Sequence, residues 1–149
     1  MADLTTSVTE NVTINGSVRG STNTVTTTGI NNVYERVVSC TTGQTTHIAT
    51  FDTNSYGSAV QIDKENVRYI RVTNLDSTNN LELAVVGAAT LYQVLFKAGQ
   101  SHILCAADDV MLAEADAVPT YGSLADITKL EVRPTASTAV NVEIFVATV

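Results

Sequence analysis

The sequence has no tryptophan, and its aromatic set is limited to five tyrosines and three phenylalanines. Sugar sites are built on exposed aromatic platforms, and most of these rings fall on strand faces that read as buried. Only Tyr56 and Tyr121 sit in loops where they are placed to serve. Histidine is confined to His47 and His102, each inside a strand-like run, and no metal ligand set is legible around either. Cys40 and Cys105 also lie in apolar strand-like runs. They read as buried free thiols, with a disulfide between neighbouring strands as the alternative, and no CxxC or Cys/His spacing suggests zinc. The motifs GxSxG, HExxH, GxGxxG and the P-loop are all missing, so the reading carries no catalytic residues, no cofactor and no metal.

Positive charge is equally sparse. Eight Lys plus Arg stand against fifteen Asp plus Glu, for a formal net charge of −7. The lysines are Lys64, Lys97 and Lys129, far apart in sequence, so no basic cluster offers itself to a nucleic-acid backbone. No apolar run is long enough to span a membrane, and the N-terminus lacks the basic and apolar regions of a signal peptide. The expected product is cytosolic when made. The sequons Asn11-Val12-Thr13 and Asn15-Gly16-Ser17 are then chance matches in an Asn/Ser/Thr-rich segment.

What the chain does have is threonine and valine in alternating runs. Roughly one residue in seven is Thr, which suits half-buried pleated surfaces, and helix formers are scarce. The length fits one domain. Strands are expected over residues 33–41, 46–52, 58–62, 67–75, 80–86, 91–96, 101–107, 110–114, 128–133 and 140–149. Ser123 with Asp126 is a candidate cap for one helical turn. Turn residues recur about every ten positions, the spacing of a sandwich or barrel. The fold class is all-β, an antiparallel β-sandwich, jelly-roll-like, with residues 33–149 as its body.

Two hairpins set the expected register. In the first, Asp76 to Asn79 form the loop and Ile70 faces Val85 while Val72 faces Leu83. Tyr69, Arg71 and Thr73 then share the other face with Val86, Ala84 and Glu82. In the second, Lys97 to Gln100 form the turn, with Val94 opposite Ile103 and Tyr92 opposite Cys105.

Residues 1–32 differ from the rest: Thr, Ser, Asn and Gly with widely spaced aliphatics. At Asn15-Gly16 the apolar pattern favours looping out Asn15 to Ser17 and pairing Ile14 with Val18. Such a segment buries too little by itself to offset the entropy of ordering it. It is a strand or two of the same sheet, an arm laid on neighbouring subunits, or disordered. As an arm, its contact residues are Leu4, Val8, Val12, Ile14 and Val18, with Tyr69 and Arg71 on the mixed face of the body. Asp108, Asp109, Glu114 and Asp116 form an acidic cluster. Its spacing does not match an EF-hand loop, and a solvated loop is the simpler reading than calcium.

Three stretches, YIRVTNLDSTNNLELAVV, YQVLFKAGQSHIL and ITKLEVRPTASTAVNVEIFVAT, cover most of residues 67–149. Together with the polar N-terminal segment they resemble small all-β structural proteins of tailed-bacteriophage virions. That resemblance implies a capsid decoration (cement) protein on the capsid surface. Its partners are the major capsid protein and copies of itself in a homo-oligomer, with no nucleic acid and no membrane. The alternatives are a tail, baseplate or head-fibre component, or a carbohydrate-binding module on a host-recognition structure.

Overall fold

The computed structural model describes residues 1–53, 61–112 and 121–149. Within them the chain is built from antiparallel sheets, with no α-helix among the described residues. Strand β1 (Ala2–Thr9) pairs with β4 (Thr22–Ile30), and between them β2 (Val12–Ile14) pairs with β3 (Ser17–Arg19). The four strands form one N-terminal ribbon. The body follows with β5 (Asn32–Cys40), β6 (Thr46–Asp52), β7 (Gln61–Asp63), β8 (Val67–Asn74), β9 (Leu81–Gly87), β10 (Leu91–Phe96), β11 (Ser101–Leu104), β12 (Ile127–Pro134) and β13 (Val140–Thr148). A single 3-10 turn at Lys64–Asn66 joins β7 to β8, started by the Asp63 carboxylate accepting from the Glu65 N–H.

The body strands sort into two sheets of order β10-β9-β12-β6-β7 and β11-β8-β13-β5. Only β7 runs parallel to its neighbour, β6. The two sheets enclose one core. Ile48, Leu83, Val85 and Leu130 enter it from the first sheet, and Ile70, Val72, Val142 and Ile144 from the second. The period-two alternation explains this, since every second side chain of a strand points to the same side. In β13 the odd-numbered Asn141, Glu143 and Phe145 lie between fully buried Val140, Val142, Ile144 and Val146.

The expected hairpin registers are wrong; the buried face of the first, Ile70, Val72, Leu83 and Val85, is right, whereas in the second Tyr92, Ile103 and Cys105 are exposed. Strands β8 and β9 lie in different sheets: Ile70 pairs with Val146 and Leu104, and Val85 with Leu130 and Tyr92. The same holds for β10 and β11, so Val94 faces Leu83 rather than Ile103, and Tyr92 faces Val85 rather than Cys105. Burial does not distinguish the two arrangements. Two strands meeting across a core show the same alternation as two strands side by side. The hairpin that does form is β9–β10, closed by the Gly87 N–H donating to the Thr90 carbonyl at 2.7 Å.

The connection from β8 to β9 therefore passes over the end of the core, and Asn74 anchors it. This side chain is the one fully buried polar residue of the described chain. Its Nδ2 donates to the carbonyls of Asn79 (2.9 Å) and Lys97 (3.2 Å), and its Oδ1 accepts from the Asp76 N–H at 3.0 Å. It thus ties the β8–β9 loop to the β10–β11 loop. Within the loop, the Asp76 carboxylate accepts from the backbone N–H groups of Thr78 (2.8 Å) and Asn79 (2.7 Å). Those two bonds, that of Asn79 foremost, hold its pKa down at about 2.

Smaller expectations also change. Ile14 pairs with Ser17 across a two-residue turn in which Asn15 (φ 50°) and Gly16 (φ 76°) are both left-handed. This geometry matches the strand twist, and the apolar pattern has no say because the whole tip is exposed. Ser123 and Asp126 cap no helical turn; Asp126 accepts from the Asp109 N–H at 3.1 Å instead. In the expected strand at 110–114, only Met111 makes a bridge, to Ala125, and residues 113 and 114 lie outside the described ones. So does Tyr56. Cys105 is exposed rather than buried, and both thiols are free. Strand β11 ends at Leu104, before the chain reaches Cys105.

Candidate assembly surface

The ribbon separates its side chains by chemistry. The β1–β4 register puts Leu4, Thr6 and Val8 with Thr27, Val25 and Asn23 on one face, and Thr5, Ser7 and Thr9 with Thr26, Thr24 and Thr22 on the other. The second face is a ladder of hydroxyl residues, with Ser7 to Thr24 at 3.0 Å and Thr9 to Thr22 at 3.1 Å. The first carries the aliphatics Leu4, Val8 and Val25 among Thr6, Thr27 and Asn23, and the ribbon nears the body at its base. There Leu4, Thr5, Thr6 and Ser7 line a shallow groove with Tyr69, Arg71 and Phe145. Those three residues come from the outer face of the β8–β13 pair.

The floor of that groove is held by its own contacts. Tyr69 and Phe145 meet edge to face with ring centroids 6.0 Å apart. The Arg71 guanidinium lies 5.9 Å from the Phe145 ring, donates to Thr73 Oγ1 at 2.9 Å and pairs with the Glu143 carboxylate at 2.6 Å. Tyr69 and Arg71 of the predicted mixed face thus border a groove shared with this chain's own N-terminal residues. Leu4, half-buried, lines this groove.

The other predicted contact residues do not reach the body. Every residue from Ser7 to Thr26 is exposed, including Val8, Val12, Ile14, Val18 and Val25, with Val18 reaching 71%. The ribbon is also nearly free of net charge: Asp3, Glu10 and Arg19 are its only charged side chains. At Gly20 (φ 118°) the two chains pass so closely that a Cβ would sit 2.2 Å from the Glu10 carbonyl oxygen. A two-stranded ribbon alone in water is marginal.

Sequence reasoning missed a second exposed apolar region. On β10, Leu91, Tyr92 and Leu95 are exposed, and Ile103 on β11 lies at the same side of the sandwich. Its signal was present, because Leu91 and Leu95 make the second face of that strand as apolar as the first. Between these strands, the Tyr92 hydroxyl and His102 Nε2 are 3.0 Å apart. Burial raises the Tyr92 pKa and lowers that of His102.

The remaining candidates stay apart. His47 lies 3.3 Å from Glu131, which also binds Lys129 at 2.7 Å. Asp108 and Asp109 are joined not by sequence neighbours but by Asp126, and Glu114 and Asp116 lie outside the described residues. Lys64 supplies the cluster's positive charge by pairing with Asp126. That contact lowers the Asp126 pKa, while a hydrogen bond with Asp126 raises that of Asp108. Among the described residues no helix is long and apolar enough to cross a membrane. Comparison with protein-family models, curated proteins and solved structures finds no match to this chain.

Proposed function

We propose that the chain is a non-enzymatic structural subunit of a tailed-bacteriophage virion, a capsid decoration (cement) protein that bridges and stabilises neighbouring capsid subunits. The observation that carries this reading is the ribbon from Ser7 to Thr26, exposed on both faces and bearing five aliphatic side chains. A segment of that kind is stabilised when it lies against another chain, and its near-neutral charge lets it do so in a molecule of net charge −7. The body supports the reading as a platform. Its orders β5-β13-β8-β11 and β6-β12-β9-β10 read as a jelly roll with β7 added at one edge, and the ribbon reads as the arm. The sequence resemblance points to the same class of protein.

The partners under this proposal are the major capsid protein and further copies of the chain, and the working place is the capsid surface. Many modest contacts per particle then add through multivalency to hold the shell against internal pressure.

The test uses capsids stripped of the chain, taken from the virus that encodes it. Full-length protein is expected to rebind to saturation and to raise the temperature at which the shell opens. A chain lacking residues 1–28 keeps the buried Ile30 and is expected not to bind. Full occupancy by the shortened chain contradicts the proposal. Copy number decides location: a ratio to the major capsid protein near one supports decoration, whereas a few copies per particle place the chain in the tail.

A further inference from the structure

An ordered ribbon needs an acceptor, and the edges of the two body sheets differ in how well they are guarded. Strand β5 carries Glu35 and Arg36, charges of the sort that keep an edge from pairing with another chain. Strand β7 has only three residues and β11 only four. Strand β10, LYQVLF, has six residues and no charge, and among the described residues it has a hydrogen-bonded neighbour on one side only, β9. Its outer face shows Leu91 (55% exposed) and Leu95 (53%). Such an apolar, unguarded edge pairs readily with another strand. Beside its first residues, Thr90, Leu91 and Tyr92 line a groove with Val110, Met111 and Leu112.

We infer that the β10 edge is the acceptor for the N-terminal ribbon of a second copy of this chain, which adds a strand to the five-stranded sheet. This rests on the assembly role proposed for the ribbon and names its partner surface within the oligomer. Three matches support the second copy as occupant. Among the described residues, β1 and β4 each have a hydrogen-bonded neighbour on one side only. Their lengths of eight and nine residues exceed the six that β10 offers. Their face bearing Val8 and Val25 continues the Leu91–Leu95 strip as cross-strand neighbours once the strand is added. Charge agrees as well, because neither surface brings a net charge large enough to oppose contact between two acidic molecules. Donor and acceptor are different surfaces, so the contact is head-to-tail, and closing it into a ring leaves no β10 edge uncovered.

Disulfide trapping tests the pairing on the full chain, with Cys105→Ser removing the exposed native thiol. Leu95→Cys is mixed under mild oxidation with Val8→Cys, and separately with Val25→Cys, and the products are resolved by non-reducing electrophoresis and mass spectrometry. The expected product joins residue 95 to a ribbon cysteine and exceeds the products joining like to like. Ribbon-to-ribbon products alone overturn the inference while leaving the ribbon's assembly role intact. Absence of any cross-link from residue 95 in a protein that is oligomeric also overturns it. A chain that is monomeric throughout overturns both. As an independent arm, Leu95→Lys at this exposed position is expected to leave far-UV circular dichroism unchanged and to weaken self-association roughly tenfold or more. Unaltered self-association contradicts the inference.

Discussion

Replacing Asn74 with alanine is expected to destabilise the sandwich far more than removal of any surface amide. Its side chain is fully buried and makes three hydrogen bonds, two from Nδ2 to the Asn79 and Lys97 carbonyls and one from the Asp76 N–H to Oδ1. A buried hydrogen bond contributes about 1 kcal/mol net, so losing three costs roughly 3 kcal/mol. Loop groups orphaned in a buried place add to that cost. For a chain of this size, 3 kcal/mol corresponds to a fall in Tm of about 6–12 °C. Urea unfolding followed by circular dichroism reads the difference directly, with exposed Asn141→Ala as the control, expected within about 0.5 kcal/mol of the parent. If Asn74→Ala loses less than about 1 kcal/mol relative to that control, Asn74 does not tie the two loops as described and the reasoning fails.

Three further outcomes follow from local geometry. Asp76 has its pKa lowered from 3.8 to about 2 in the folded chain, so its contribution is fully present above pH 3.8 and is lost as pH falls through about 2. Unfolding titrations across that window should slope downward on acidification, and Asp76→Asn should flatten the slope; an unchanged slope refutes the loop geometry. Native protein should react with one equivalent of a thiol reagent, at Cys105, and with a second only after denaturation, because Cys40 is buried and burial raises its pKa. Gly20→Ala should disrupt the ribbon at its crossing with Glu10, seen as lost amide protection between Ser7 and Thr26, while core amides of β8 and β13 keep theirs.

Much of this architecture was legible in the residues, and its limits have physical causes. The alternation of Ile70, Val72, Leu83 and Val85 with polar neighbours located the strands and the core face, because burial acts on each strand separately. Pairing was not legible, since the same alternation serves strands of one sheet or of two facing sheets. Asn74, a polar residue at a buried strand end, bonds to two different loops, a tertiary link with no local signal. The ribbon's aliphatics Val8, Val12, Ile14 and Val18 are expected contact residues, and the fold leaves them exposed. That Leu4 shares a groove with Tyr69 and Phe145 depends on tertiary placement, as does the arrival of Asp126 beside Asp108, and neither has a local signal. The exposure of Leu91 and Leu95 had one, in a strand apolar on both faces.

The central claim is that the N-terminal ribbon is an assembly element carried by an independently folded body. Light scattering coupled to size-exclusion chromatography tests it most directly. The full chain is expected to show a mass several times its 15.8 kDa, and residues 29–149 a monomer with an undiminished β-sheet spectrum. A monomeric full chain, or an oligomer that survives removal of residues 1–28, contradicts the account.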